Sequence, residues 1–175
     1  KRTEAMLGDG AFKGLELDDG AALGDTPAAP KRNMWFIGDS ITCASGSDGT
    51  PPCDFSAETQ NANSGFASKL GIAFGAQYDI TCWSGKGLVH NYGDLSNVSV
   101  DAIPSYVDKT MASSVDPVWN FTQVPTMDVI SVNLGTNDFG SEPSPDPTQW
   151  ISIYEDFVDR LWGIYPEAEI FLNCG

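Results

Sequence analysis

The sequence predicts an α/β fold built on a parallel sheet with both faces covered. Short apolar runs alternate with helix-period segments along the chain. The runs are apolar throughout rather than at every second residue, as strands buried on both faces are. Three of them stop at polar, glycine-marked loops, after Ile37, after Cys82 and after Leu134. In sheets of this kind ligands gather outside the carboxyl ends of the strands, so these loops are the expected site.

Taken in order, residues 1–32 are rich in Gly, Ala and Asp, with Pro27 and Pro30 near the end. They read as an extended segment in which Phe12, Leu15 and Leu17 are candidates for packing. From Asn33 the pattern changes, and 33–175 reads as one domain. Met34-Trp35-Phe36-Ile37 is a buried strand halted by Gly38. Residues 58–74 carry a helical pattern through Phe66, Leu70 and Ala73, and Tyr78–Cys82 reads as the second strand. Residues 101–113 carry a weak helical pattern. Residues 127–134 form the third strand, halted by Gly135. Asp146-Pro147-Thr148-Gln149 is a helix start, with an N-cap acid, Pro at the first helical position and Gln where a capping box needs it. The helix that follows aligns Trp150, Tyr154, Phe157 and Leu161 on one face and ends before Pro166. Glu169–Asn173 begins a fourth strand. Trp35, Phe36, Trp150, Phe157 and Trp162 are expected in the core.

Composition narrows the function. Of 175 residues, 41% are hydrophobic and 19% charged, a globular balance. The 24 Asp and Glu against 9 Lys and Arg give a net charge of −15. With no basic stripe, nucleic acid and anionic membrane surfaces are excluded as partners, because both require clustered cations. Lys1-Arg2-Thr3-Glu4 is followed by no apolar core of the signal-peptide kind and there is no initiating Met, so the sequence reads as a mature or trimmed product or a fragment.

The four cysteines contain no C-x-x-C pair and His90 is the one histidine, so no metal site is expected. Cys43 and Cys53 flank a short Gly-, Ser-, Asp- and Pro-rich loop and are the candidate disulfide. Cys82 and Cys174, each ending a strand, read as buried thiols. Asn97-Val98-Ser99 and Asn120-Phe121-Thr122 are glycosylation sequons. With the cysteines they point to a secreted protein.

The chemistry sits in the three loops. A serine directly after a strand, with small neighbours, presents both its hydroxyl and its own N–H to one ligand atom. Ser40 is so placed. Gly85 offers an N–H that no side chain obstructs, and Asn137 a side-chain amide. A nucleophile with donors converging from other loops is the layout of ester hydrolysis. Taken singly, Gly38-Asp39-Ser40 is an ordinary turn sequence. Its meaning comes from the combination. A flavodoxin-like nucleotide binder fits poorly, since the first loop has neither a P-loop Lys nor G-x-G-x-x-G spacing.

Phe36-Ile37-Gly38-Asp39-Ser40-Ile41-Thr42, Ser84-Gly85 and Gly135-Thr136-Asn137-Asp138 resemble, in order, three conserved blocks of the SGNH (GDSL) hydrolases. Trp83-Ser84-Gly85-Lys86-Gly87-Leu88 and Asn91-Tyr92-Gly93-Asp94 bring the likeness closest to carbohydrate esterase family two. It runs over nearly the whole chain and is densest in the blocks. The resemblance implies a three-layer α/β/α fold with a flavodoxin-like sheet, and deacetylation of xylan- or mannan-type polysaccharides. Ser40 would be the nucleophile. The N–H groups of Ser40 and Gly85 and the amide of Asn137 would form the oxyanion hole, with Asp39 and Asp138 in support. No metal or organic cofactor is implied. Trp83 is a candidate for stacking on a sugar ring. Lys1-Arg2-Thr3-Glu4 resembles the connection from an upstream β-sandwich, which makes 1–32 a linker.

One family element is missing. The Asp-x-x-His-like block whose histidine activates the serine would fall beyond Gly175, together with the last strand and helix. His90, just after the second loop, is expected on the surface or facing substrate rather than acting as the base. The chain is then an incomplete sequence, a cleaved product completed by another chain or domain, or a non-catalytic relative serving as a structural or glycan-binding protein. The first is favoured, because a domain ending at this strand would leave apolar sheet surface uncovered.

Overall fold

The computed structural model describes residues 3–173. Four parallel strands form one sheet: β1 (Arg32–Gly38), β2 (Ala76–Cys82), β3 (Val129–Asn133) and β4 (Glu169–Asn173), in the order β2-β1-β3-β4. Helix α1 (Phe66–Ala73) joins β1 to β2, and α2 (Pro147–Ile164) joins β3 to β4.

The alternation of side chains along β1 builds the layers. Trp35 and Ile37 point into a core shared with Ile130 and Val132 of β3 and with Phe157 and Leu161 of α2. Met34 and Phe36 point the other way, against Ala67 of α1. The architecture is therefore three-layer α/β/α, as expected. Each of these large side chains contributes about 1.5–3 kcal/mol on burial. The chain order reverses between β1 and β3, which marks the crevice where such sheets take ligands.

Helix α2 begins as its sequence dictates. Pro147 opens it, and the Asp146 carboxylate accepts a hydrogen bond from the Gln149 N–H at 3.0 Å. Trp162, expected in the core, is 52% exposed. It follows Leu161 by one residue and is turned about 100° off the buried stripe.

Other expectations need correction. The helix expected over 58–74 is shorter, with only a 3₁₀ turn at Ala62–Ser64 ahead of α1. Its buried residues are Ala67, Ser68 and Gly71, while Leu70 and Ala73 are exposed. The small side chains allow close approach: a Cβ on Gly71 would lie 2.2 Å from the Tyr78 ring. Residues 101–113 hold only a 3₁₀ turn at Ile103–Ser105. Phe12, Leu15 and Leu17 are exposed rather than packed. Phe171 and Leu172, on opposite faces of the edge strand β4, are also exposed. Cys174 lies outside the described residues.

Candidate active site

Parallel register brings the ends of three strands together. Gly38 stands opposite Cys82 on one side and Asn133 on the other. Gly38 must be glycine: a Cβ there would meet Thr42 Oγ1 at 2.2 Å and the Asn133 carbonyl oxygen at 2.6 Å. The chain then winds tightly, with the Cys43 N–H donating to the Asp39 carbonyl and the Ser45 N–H to the Ser40 carbonyl. Ser40 is half-buried at the start of this turn. A groove of ≈ 340 Å³ beside it is lined by Ile41, Ser45, Asp54 and Phe55, among others. Asp54 and Phe55 were not singled out from sequence. A phenylalanine next to an aspartate in the loop after the Ser40 block was the available signal.

Asp39 is fully buried. Its Oδ1 accepts the Ile41 N–H at 2.9 Å, and its Oδ2 accepts from Asn137 Nδ2 at 3.3 Å. Burial raises its carboxyl above the ordinary aspartate range, and the Asp138 charge adds to this; the Ile41 N–H pulls the other way.

The second loop is a turn in which the Lys86 N–H donates to the Trp83 carbonyl, and it is tied to β1 by the Trp83 N–H on the Gly38 carbonyl. Gly85 has φ +81°, a conformation that favours glycine. Its carbonyl accepts the Tyr92 N–H at 2.8 Å. Among the described residues no group accepts the N–H of Ser40 or of Gly85. Trp83 packs on the core and lies 5.1 Å from the Tyr106 ring. Lys86 pairs with Asp101, and this hydrogen bond holds the Asp101 carboxyl below its ordinary value.

Asn137 links all three loops. Its Nδ2 donates to the Lys86 carbonyl at 2.8 Å and, at greater length, to Asp39. Both amide hydrogens are thus engaged, and one must leave Asp39 to serve an oxyanion. Asp138 is fully buried and accepts the N–H groups of Leu88, Val89 and His90 at 2.9, 2.7 and 3.0 Å.

His90 is buried, which overturns its expected surface or substrate-facing position. Ser141 Oγ accepts the Gly93 N–H, so its hydroxyl hydrogen is available to His90 Nε2 at 3.4 Å. His90 Nδ1 then donates to the Ser96 carbonyl at 2.8 Å. The imidazole is bonded through both nitrogens, Nδ1 within its own loop and Nε2 to Ser141 in the loop after β3.

The disulfide is not the expected Cys43–Cys53 pair. Cys43 bonds Cys82, with Cα atoms 5.5 Å apart, and Cys53 is a free, exposed thiol. Cys82 is therefore no buried thiol. The reason is register: Cys82 stands beside the end of β1, and the turn after Gly38 carries Cys43 back to it. Asn97 and Asn120 are both exposed.

No family model matches the chain. Over 180 residues it is 36% identical to the cellulase/esterase CelE of Acetivibrio thermocellus, aligning along 100% of this chain and 21% of that protein. It is 30% identical over 176 residues to an acetylxylan esterase / glucomannan deacetylase of Cellvibrio japonicus, covering 99% of this chain and 48% of the relative. Among solved structures, a family two carbohydrate esterase from Clostridium thermocellum in complex with cellohexaose superposes with a TM-score of 0.80 at 32% identity, over 88% of this chain and 46% of that one. Over nearly its whole length the chain is thus similar to family two carbohydrate esterases. A second such enzyme, from Corynascus thermopiles, superposes at TM-score 0.79 and 34% identity over 87% of this chain and 47% of its own. The chain thus spans less than half the length of each of these proteins.

Proposed function

We propose that this chain forms the nucleophile and oxyanion portion of a polysaccharide deacetylase acting on acetylated xylan- or mannan-type chains. The observation that carries the reading is the junction at Asn137, where one side chain bonds both the loop of Ser40 and the loop of Gly85. In the reaction Ser40 Oγ attacks the acetyl carbonyl, and the sugar hydroxyl leaves with a proton. The N–H groups of Ser40 and Gly85, with the Asn137 amide, hold the developing negative charge. One such donor lowers the barrier by about 3 kcal/mol. Water then releases acetate from the acyl-serine. The groove beside Ser40 takes the substrate.

The general base comes from outside these 175 residues, either from further chain or from a partner domain. His90 does not supply it, because its two nitrogens are engaged by Ser96 and Ser141. The edge of β4, with Phe171 and Leu172 exposed, is the surface such a segment would cover. The disulfide supports an oxidising, extracellular setting, with glycosylation at Asn97 and Asn120.

A second reading is glycan binding without turnover, and the engaged state of His90 favours it. The test uses the protein that carries this chain together with a histidine-bearing continuation. Acetate release from acetylated xylan and glucomannan is expected, with loss in Ser40→Ala and glycan binding retained. Binding without release by the parent protein selects the second reading.

A further inference from the structure

We propose that Glu4 is a positioning residue for the oxyanion loop, so that the segment ahead of β1 is part of the site. This role rests on the esterase reading above. Among the described residues up to Asn33, Glu4 alone is buried. The apolar residues Phe12, Leu15 and Leu23 of the same segment are exposed. Hydrophobicity alone would place these residues the other way round, so specific bonds hold the carboxylate inside.

Those bonds converge on Ser84. Glu4 Oε2 accepts the Ser84 N–H at 2.6 Å, and Oε1 accepts the Ser84 hydroxyl at 2.6 Å. Gln60, also fully buried, donates from Nε2 to Oε1 at 2.7 Å and accepts the Glu4 N–H at 3.2 Å. The Cys43 sulfur of the disulfide lies 3.7 Å from Oε2. One carboxylate thus grips Ser84 by its backbone and its side chain together. Short bonds to an ionised acceptor are the strong ones.

Ser84 precedes Gly85. The peptide between them is planar, so the direction of the Gly85 N–H follows from the ψ angle of Ser84. Gly85 itself can rotate freely, having no side chain. Holding Ser84 fixes the donor without touching substrate.

The experiment uses the whole protein and the variant Glu4→Gln, which keeps size but turns an NH₂ toward the donors. Expected is a ~10–100-fold fall in kcat for acetate release, a partial loss of one oxyanion donor, with KM within about twofold. The Ser84 amide proton, downfield in the parent, moves upfield in the variant. Should Glu4→Gln fail to fold, Ser84→Ala removes one of the two arms and is expected to lower kcat about 3–10-fold at unchanged KM. The role is overturned if kcat stays within about twofold of the parent while Ser40→Ala abolishes release. That result leaves the esterase reading intact and makes Glu4 an anchor only. An ordinary Ser84 amide shift, insensitive to Glu4→Gln, also overturns it. Undiminished release by Ser40→Ala overturns the esterase reading itself and this role with it.

Discussion

Cys43 and Cys82 are bonded across the ends of β1 and β2, and this single link joins the turn of Ser40 to the strand that leads into the Gly85 loop. Ser40 and Gly85, the proposed nucleophile and oxyanion donor, thus hang from one covalent clasp. It closes a loop with a sequence separation of 39, for which chain entropy gives about 4 kcal/mol of stabilisation. The double variant Cys43→Ser/Cys82→Ser is expected to lose about that much in urea unfolding. Cys53→Ser, at an exposed free thiol, is expected to stay within about 0.5 kcal/mol of the parent.

Asp138 holds the backbone of residues 88–90 rather than facing the groove. Asp138→Asn presents an NH₂ to at least one of three N–H groups and leaves that donor unsatisfied. The expected cost is about 1–3 kcal/mol, and Asp138→Ala costs more. Equilibrium unfolding of the two variants checks the order. Equal stability of Asp138→Ala and the parent contradicts the bonding described.

Asp101 gives a pH dependence of known sign. Lys86 lowers its folded-state value, so its contribution is present above the unfolded aspartate value of about 3.9 and is lost as pH falls through the folded value. The Asp101 side chain is 50% exposed, and solvent screening limits the pair to about 0.5 kcal/mol. Asp101→Asn is expected to flatten the acid limb of the stability curve by that amount, measured by urea unfolding between neutral and acid pH.

The strands of the sheet and the three loops at their ends were legible because they are written in local signals. A four-residue apolar run stopped by glycine marks β1, and Asp146 with Pro147 marks the start of α2. The succession of strands along the chain and the three loops at their ends followed from these, while their order in the sheet is a property of the fold. The disulfide was not legible, because nearness in sequence favoured Cys53 while strand register, a non-local property, selects Cys82. Glu4 was missed for the same reason: its partners Gln60 and Ser84 are remote in sequence. His90 was misplaced because its burial depends on Ser96 and Ser141 closing around it. The exposed Leu70 reflects a helix seated on small residues, where Gly71 meets Tyr78 and larger side chains are turned away.

The central claim is that Ser40 is the acylated residue. Rapid quenching of the whole protein during turnover of an acetylated substrate, followed by peptide mass spectrometry, tests it most directly. The account predicts an acetyl increment on the peptide bearing Ser40, absent in Ser40→Ala. Full acetate release with no acyl group on that peptide, or an undiminished rate in Ser40→Ala, would contradict it.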